Sequence, residues 1–167
     1  MLQEYTVTIL GLGNILLSDE GVGVHTVMEF EKRYEVPPYV EIVDGGAAGL
    51  DLIPFIEGRE RVVMVDAVNF DREPGYIDLL ENDQIPVRLT QKASMHHLGL
   101  MDVLTIVRLS GNFPKDICII GIQPQSLDLG LDMTPAIWDK QEALIERLVQ
   151  KLLAWNIPCA LRSPQRS

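Results

Sequence analysis

Short apolar runs alternate with amphipathic stretches along this sequence. Residues 5–11 are β-branched and apolar and end in glycine, the pattern of a buried strand. Residues 21–34 place Val24, Val27 and Met28 against the neighbouring Phe30 and Glu31 so that apolar and charged faces separate, which predicts a helix stopped by Pro37-Pro38. A second strand is expected over 40–44 with Gly45-Gly46 as its exit, then a short helix over 50–56 that tolerates Pro54. Residues 61–67 (RVVMVDA) are apolar on both faces, as befits a central parallel strand covered on each side. Residues 75–80 read as a fourth strand at an edge, followed by a loop carrying Pro86. Leu100, Leu104 and Val107 give residues 96–109 helical spacing, and 116–122 is a fifth strand. Thr134-Pro135 opens the last helix, with Pro135 suited to a first turn and Leu144, Leu148 and Leu152 as the buried stripe. Strands that alternate with helices predict an α/β protein, a three-layer α/β/α sandwich around a mainly parallel five-stranded sheet. One domain covers residues 1–157, and 158–167 reads as a mobile tail.

Composition narrows the partners. Lys plus Arg number 14 against 24 Asp plus Glu, for a net charge of −10. That balance disfavours nucleic acid and anionic membrane and leaves room for a basic protein or a metal cation. No apolar run approaches the roughly 20 residues that cross a bilayer. The N-terminus lacks the basic region and cleavage site of a signal peptide, so the expected location is the cytoplasm. Cys118 lies in the run Ile117-Cys118-Ile119-Ile120 and reads as a small core residue. No feature demands a second copy, and a monomer is expected.

In a sheet of this kind the site forms at the carboxyl ends of the strands. The loop from Gly11 to Gly21 opens with G-x-G, but Leu16 occupies the third glycine position of a dinucleotide fingerprint, and Asp19 and Glu20 would repel a pyrophosphate. Asp19 is expected to cap the following helix, and Glu20 is open between that role and a functional one. Asp66 ends a wholly apolar strand, where a carboxylate must be hydrogen-bonded, paired or bound to metal. Asp44 before Gly45-Gly46 invites the same alternatives. His96 and His97 diverge by about 100° on a helix, so at most one should face a given site. Taken together, Glu20, Asp66 and His96 supply two oxygens and a nitrogen, a set suited to a divalent transition metal with open positions.

These segments resemble the hydrogenase maturation endopeptidases. The matching stretches are G-L-G-N-I-L-L-S-D-E-G-V-G-V (11–24), I-V-D-G-G (42–46), M-V-D-A (64–67), S-M-H-H-L-G-L (94–100) and the G-I-Q-P exit (121–124), in order over nearly the whole length. The resemblance implies a twisted sheet with helices on both faces and an endopeptidase that releases a short C-terminal peptide from the large-subunit precursor of a nickel–iron hydrogenase. It also implies metal-site residues Glu20, Asp66 and His96, which engage nickel already installed in the precursor; another divalent ion could stand in for it. Asp44 and Asp66 would be the acids on the catalytic side. Two residues depart from the family pattern: Ala47 stands where Thr is common, and His97 where Gln or Glu is usual. The rival readings are a non-enzymatic nickel-binding checkpoint, which would not need Asp44, and a nucleotide-binding oxidoreductase, which would need an intact glycine loop.

Overall fold

The computed structural model describes residues 4–91 and 95–164. Residues 1–3, Ser94 of the histidine motif and the end of the tail at 165–167 lie outside the described residues. The strands are β1 (Val7–Leu12), β2 (Tyr34–Glu35), β3 (Val40–Gly46), β4 (Arg61–Ala67), β5 (Ile77–Glu81), β6 (Asp116–Ile122) and β7 (Ala160–Leu161). The helices are α1 (Val22–Arg33), α2 (Ile53–Ile56), α3 (Gln84–Gln91), α4 (Met95–Ser110), α5 (Pro135–Trp138) and α6 (Gln141–Ala154). Five strands form one sheet in the order β3-β1-β4-β6-β5, parallel except for β5 at the edge. The chain between Ala67 and Ile77 contains no helix, and a parallel return requires a long crossover, so β5 runs antiparallel.

Alternation along β1, β4 and β6 sends side chains into two cores. Ile9, Val63, Val65, Ile120 and Ile122 meet Val27 and Phe30 of α1 and Leu144, Leu148 and Leu152 of α6. Leu10, Val62, Met64, Ile117 and Ile119 meet Ile85, Leu89, Leu100, Val103 and Val107 of α3 and α4. Both faces of the sheet are therefore covered, which is the three-layer arrangement expected. Cys118 lies in the first core, and burial pushes its thiol up to about 12.

Several expectations need correction. The stretch around Pro86 is helix α3 rather than loop: Pro86 falls in the first turn, where its missing N–H has no intrahelical partner to lose, and Ile85 and Leu89 bury one face. The last helix is split, because α5 ends in a turn at Asp139-Lys140 before α6 begins. The short segment after Ala48 is a 3₁₀ turn (Leu50–Leu52) running into α2, with Pro54 in the first turn. Past Pro158 the chain returns to the domain, where β7 pairs antiparallel with β2 and the Arg162 amide donates to the Arg33 carbonyl at 2.8 Å. Where a dinucleotide loop would pack its helix on the sheet through a third glycine, Leu16 stands instead, and Gly23 supplies the close packing further along. A Cβ on Gly23 would lie 2.0 Å from the Val65 carbonyl oxygen, so α1 crosses β4 in backbone contact.

Candidate functional site

The carboxyl ends of β1, β3, β4 and β6 all open on one edge of the sheet, and the acids expected there are found there. Glu20 sits in the 3₁₀ turn Ser18–Gly21 after β1, Asp66 is the penultimate residue of β4, and the two histidines begin α4. His96 bridges the two acids. Its Nδ1 is 2.8 Å from Glu20 Oε1, and its Nε2 is 2.9 and 3.1 Å from the two oxygens of Asp66. Gly13 makes this approach possible: with φ +113°, it passes so close that a Cβ would stand 1.8 Å from the Glu20 carbonyl and 3.5 Å from Asp66 Oδ1.

His97 also reaches Asp66, with Nε2 2.7 Å from Oδ2. The expectation that at most one imidazole would serve the site is thus corrected. Both histidines belong to the first helical turn, where side chains lean toward the N-terminus and no earlier turn blocks them. The two rings lie with centroids 4.1 Å apart. Asp66 is fully buried, and an isolated buried carboxylate costs several kcal/mol. Hydrogen bonds from two imidazoles, each contributing roughly 1.5–3 kcal/mol when charge is involved, offset that cost.

The electrostatics follow from these contacts. Burial works to raise the pKa of Asp66, but the hydrogen bonds and charge of His96 and His97 outweigh it and hold the carboxyl below its ordinary value. Burial likewise works to lower His96, and the hydrogen bond and charge of Asp66, with those of Glu20, outweigh it and raise the ring. Asp66, His96 and His97 each offer a ligand atom within 4.8 Å of the others, a geometry able to hold a metal ion. Glu20 stands on the other nitrogen of His96, so it faces a different side of the ring from Asp66.

Asp44 lies on the same edge but outside this hydrogen-bonded cluster. It is exposed, and its Oδ1 accepts from the Gly46 amide at 3.0 Å. Gly46 in turn accepts from the Gly13 amide at 2.8 Å, which ties the Asp44 loop to the turn beneath Glu20 and Asp66. Asp19 is fully buried and does not cap α1. Its carboxylate accepts from the amides of Gln125, Ser126 and Thr134 at 2.9, 2.9 and 2.7 Å and from the Thr134 hydroxyl. It fastens the segment after β6 to the turn that carries Glu20.

An α/β sandwich with an acid–imidazole cluster at its carboxyl edge defines a class of protein whose site could hold a metal ion. Comparison with known proteins sharpens this. A sequence profile described as hydrogenase maturation protease matches residues 24–151. The hydrogenase 2 maturation protease of Escherichia coli is 41% identical over 149 residues, covering 89% of this chain and 88% of that protein. The hydrogenase expression/formation protein HupD of Bradyrhizobium diazoefficiens is 39% identical over 164 residues, covering 96% and 85%. The solved structure of the hydrogenase maturating endopeptidase HybD from Escherichia coli superposes with a TM-score of 0.90 at 37% identity, covering 93% of this chain and 97% of that one. The chain belongs to the hydrogenase maturation protease family, and it is a hydrolase of the endopeptidase kind that acts in hydrogenase maturation. Among the described residues no helix is long and apolar enough to cross a membrane.

Proposed function

We propose that this endopeptidase removes a short C-terminal peptide from the nickel-loaded large-subunit precursor of a nickel–iron hydrogenase. It does so as a cytoplasmic monomer, with the substrate's nickel recognised by Glu20, Asp66 and His96. The observation that carries the reading is the gathering of both carboxylates and His96 at one sheet edge, 2.8 and 2.9 Å from the two ring nitrogens. Glu20 must exchange its contact with Nδ1 to share an ion with Asp66 and the ring. The donor set fits: imidazole and carboxylate suit borderline divalent ions. Nickel carried in by the precursor would supply a fixed point for the scissile bond and a Lewis acid beside it.

The chain's own residues divide the remaining work. His96 would give up the proton on Nε2, the nitrogen beside Asp66, while Glu20 turns from Nδ1 toward the same ion. Asp44, exposed and oriented through the Gly46 amide, is the carboxylate that takes a proton from the attacking water and returns it to the departing amine as the peptide C–N bond breaks. Asp66, the second acid of the catalytic pair, balances positive charge from within the core. An aspartic-type endopeptidase that also depends on its substrate's metal is the combined scheme.

A second reading of the ligands rests on one observation. Asp66, His96 and His97 each offer a ligand atom within 4.8 Å of the others, with Glu20 on the far nitrogen of His96 as an orienting carboxylate. The test of function is incubation of the purified protein with nickel-loaded and nickel-free precursor. A shortened large subunit and a released peptide, from the loaded form alone, are expected. Tight binding with the precursor left at full length would instead make the protein a nickel-binding checkpoint.

A further inference from the structure

Beside Glu20, two backbone segments hold large apolar side chains out in water: Ile15 and Leu16 on one, and Leu127, Leu129 and Leu131 on the other. Leu129 and Leu131 are 85% and 68% exposed. Single exposed leucines are ordinary on any protein surface. These differ because the backbone that carries them is fastened. The Ser18 amide donates to the Gly130 carbonyl at 2.8 Å, the Gly130 amide to the Leu16 carbonyl at 2.9 Å, and the Ser18 hydroxyl to the Asp128 carbonyl at 2.7 Å. From beneath, Asp19 holds both ends of the second segment at Gln125, Ser126 and Thr134. A backbone anchored this firmly holds its leucines in place, and exposed apolar side chains gathered on two joined segments mark a contact surface.

We infer that this leucine rim is the surface on which the protein substrate docks, taking an apolar patch bordered by Lys and Arg close to the segment that is cut. The inference rests on the reading of the protein as a precursor-cleaving endopeptidase and specifies how that precursor is held. Continuity supports it: Leu16 and Glu20 belong to one short loop, so a partner seated on the rim lies against the site. Charge supports the basic border, because Asp128 and Asp132 are exposed within the rim and the chain carries −10 overall. The same two acids argue against a second copy of this chain as the occupant, since self-pairing would bring like charges together.

The double substitution Leu129→Ser with Leu131→Ser tests the inference without touching Glu20, Asp44, Asp66 or His96. Thermal unfolding and the affinity for nickel alone serve as folding controls and should match the parent protein. With nickel-loaded precursor, KM should rise on the order of tenfold or more while kcat stays within about twofold, as expected for loss of anchoring side chains at an interface. Affinity for the precursor is measured separately by calorimetry. Should the parent protein bind but not cleave, the hydrolytic reading falls while the docking inference is still decided by the loss of affinity in the variant. Equal KM and equal affinity would overturn the inference. So would sedimentation data in which the parent is a dimer, the variant a monomer and precursor affinity unchanged.

Discussion

His97 Nε2 lies 2.7 Å from Asp66 Oδ2, nearer than either contact His96 makes with that carboxylate. Asp66 therefore has two imidazoles holding it, and that of His96 also touches Glu20. This asymmetry separates the two ligand sets. Nickel titration by calorimetry should show the largest loss for His96→Ala, which removes the ring common to both. His97→Ala should weaken nickel binding about 10- to 100-fold, the usual consequence of freeing a ligand from its orienting partner. Unchanged affinity in His97→Ala would reduce that contact to a packing role and leave Glu20, Asp66 and His96 as the set.

Asp44→Asn tests the division of labour. The amide keeps the size of the side chain and an oxygen for the Gly46 amide, but it cannot take a proton. Nickel-loaded precursor should bind with unchanged affinity, while single-turnover cleavage slows by a factor on the order of 10² or more. Cleavage at the full rate would remove Asp44 from the mechanism.

The pH dependence has two signs. His96 is raised above its ordinary 6.5, so the stability it contributes is complete below that pH and is lost as pH rises through its folded value. Asp66 is lowered below its ordinary 3.8, so its contribution is complete above that pH and is lost as pH falls through its folded value. In the metal-free protein the stability from this pair is therefore fullest between pH 3.8 and 6.5. Urea midpoints of the parent minus those of His96→Ala should show that plateau. Nickel affinity should run the other way and climb with pH, because the metal must displace the His96 proton. A flat affinity between pH 6 and 8 would contradict the assignment.

Asp19→Ala should be costly although Asp19 faces no substrate. It would leave the half-buried amides of Ser126 and Thr134, the Thr134 hydroxyl and the amide of exposed Gln125 without their acceptor. At roughly 1–3 kcal/mol for each unsatisfied buried group, a loss of at least about 3 kcal/mol is expected in chemical denaturation. A change below about 1 kcal/mol would mean that the segment finds other acceptors.

Strands β4 and β6 could be read residue for residue, because apolar runs buried on both faces have no polar alternation to blur their limits. The acids Glu20 and Asp66 and the imidazole of His96 were legible from the rule that strand ends gather on one edge. Helix α3 was not, since Pro86 signals a loop by itself although Ile85 and Leu89 stand four apart and are buried together. The convergence of His97 depends on rotamers at a helix start, which spacing alone does not encode. The partners of Asp19 lie 106 to 115 residues away, so nothing local could distinguish a helix cap from a clamp. What the period of a sequence can report is which face a residue shares, and these two outcomes turn on where a side chain points once distant segments have met.

Asp19 and Glu20 are neighbours with opposite allegiances, one turned into the body of the protein and the other toward His96. They share a single tight 3₁₀ turn, which leaves no slack between them. The segment from Gln125 to Thr134 and the ring of His96 are thus the two arms of one short lever pivoting on that turn. If steadying one arm alters the other, reciprocity requires the effect to be equal in both directions.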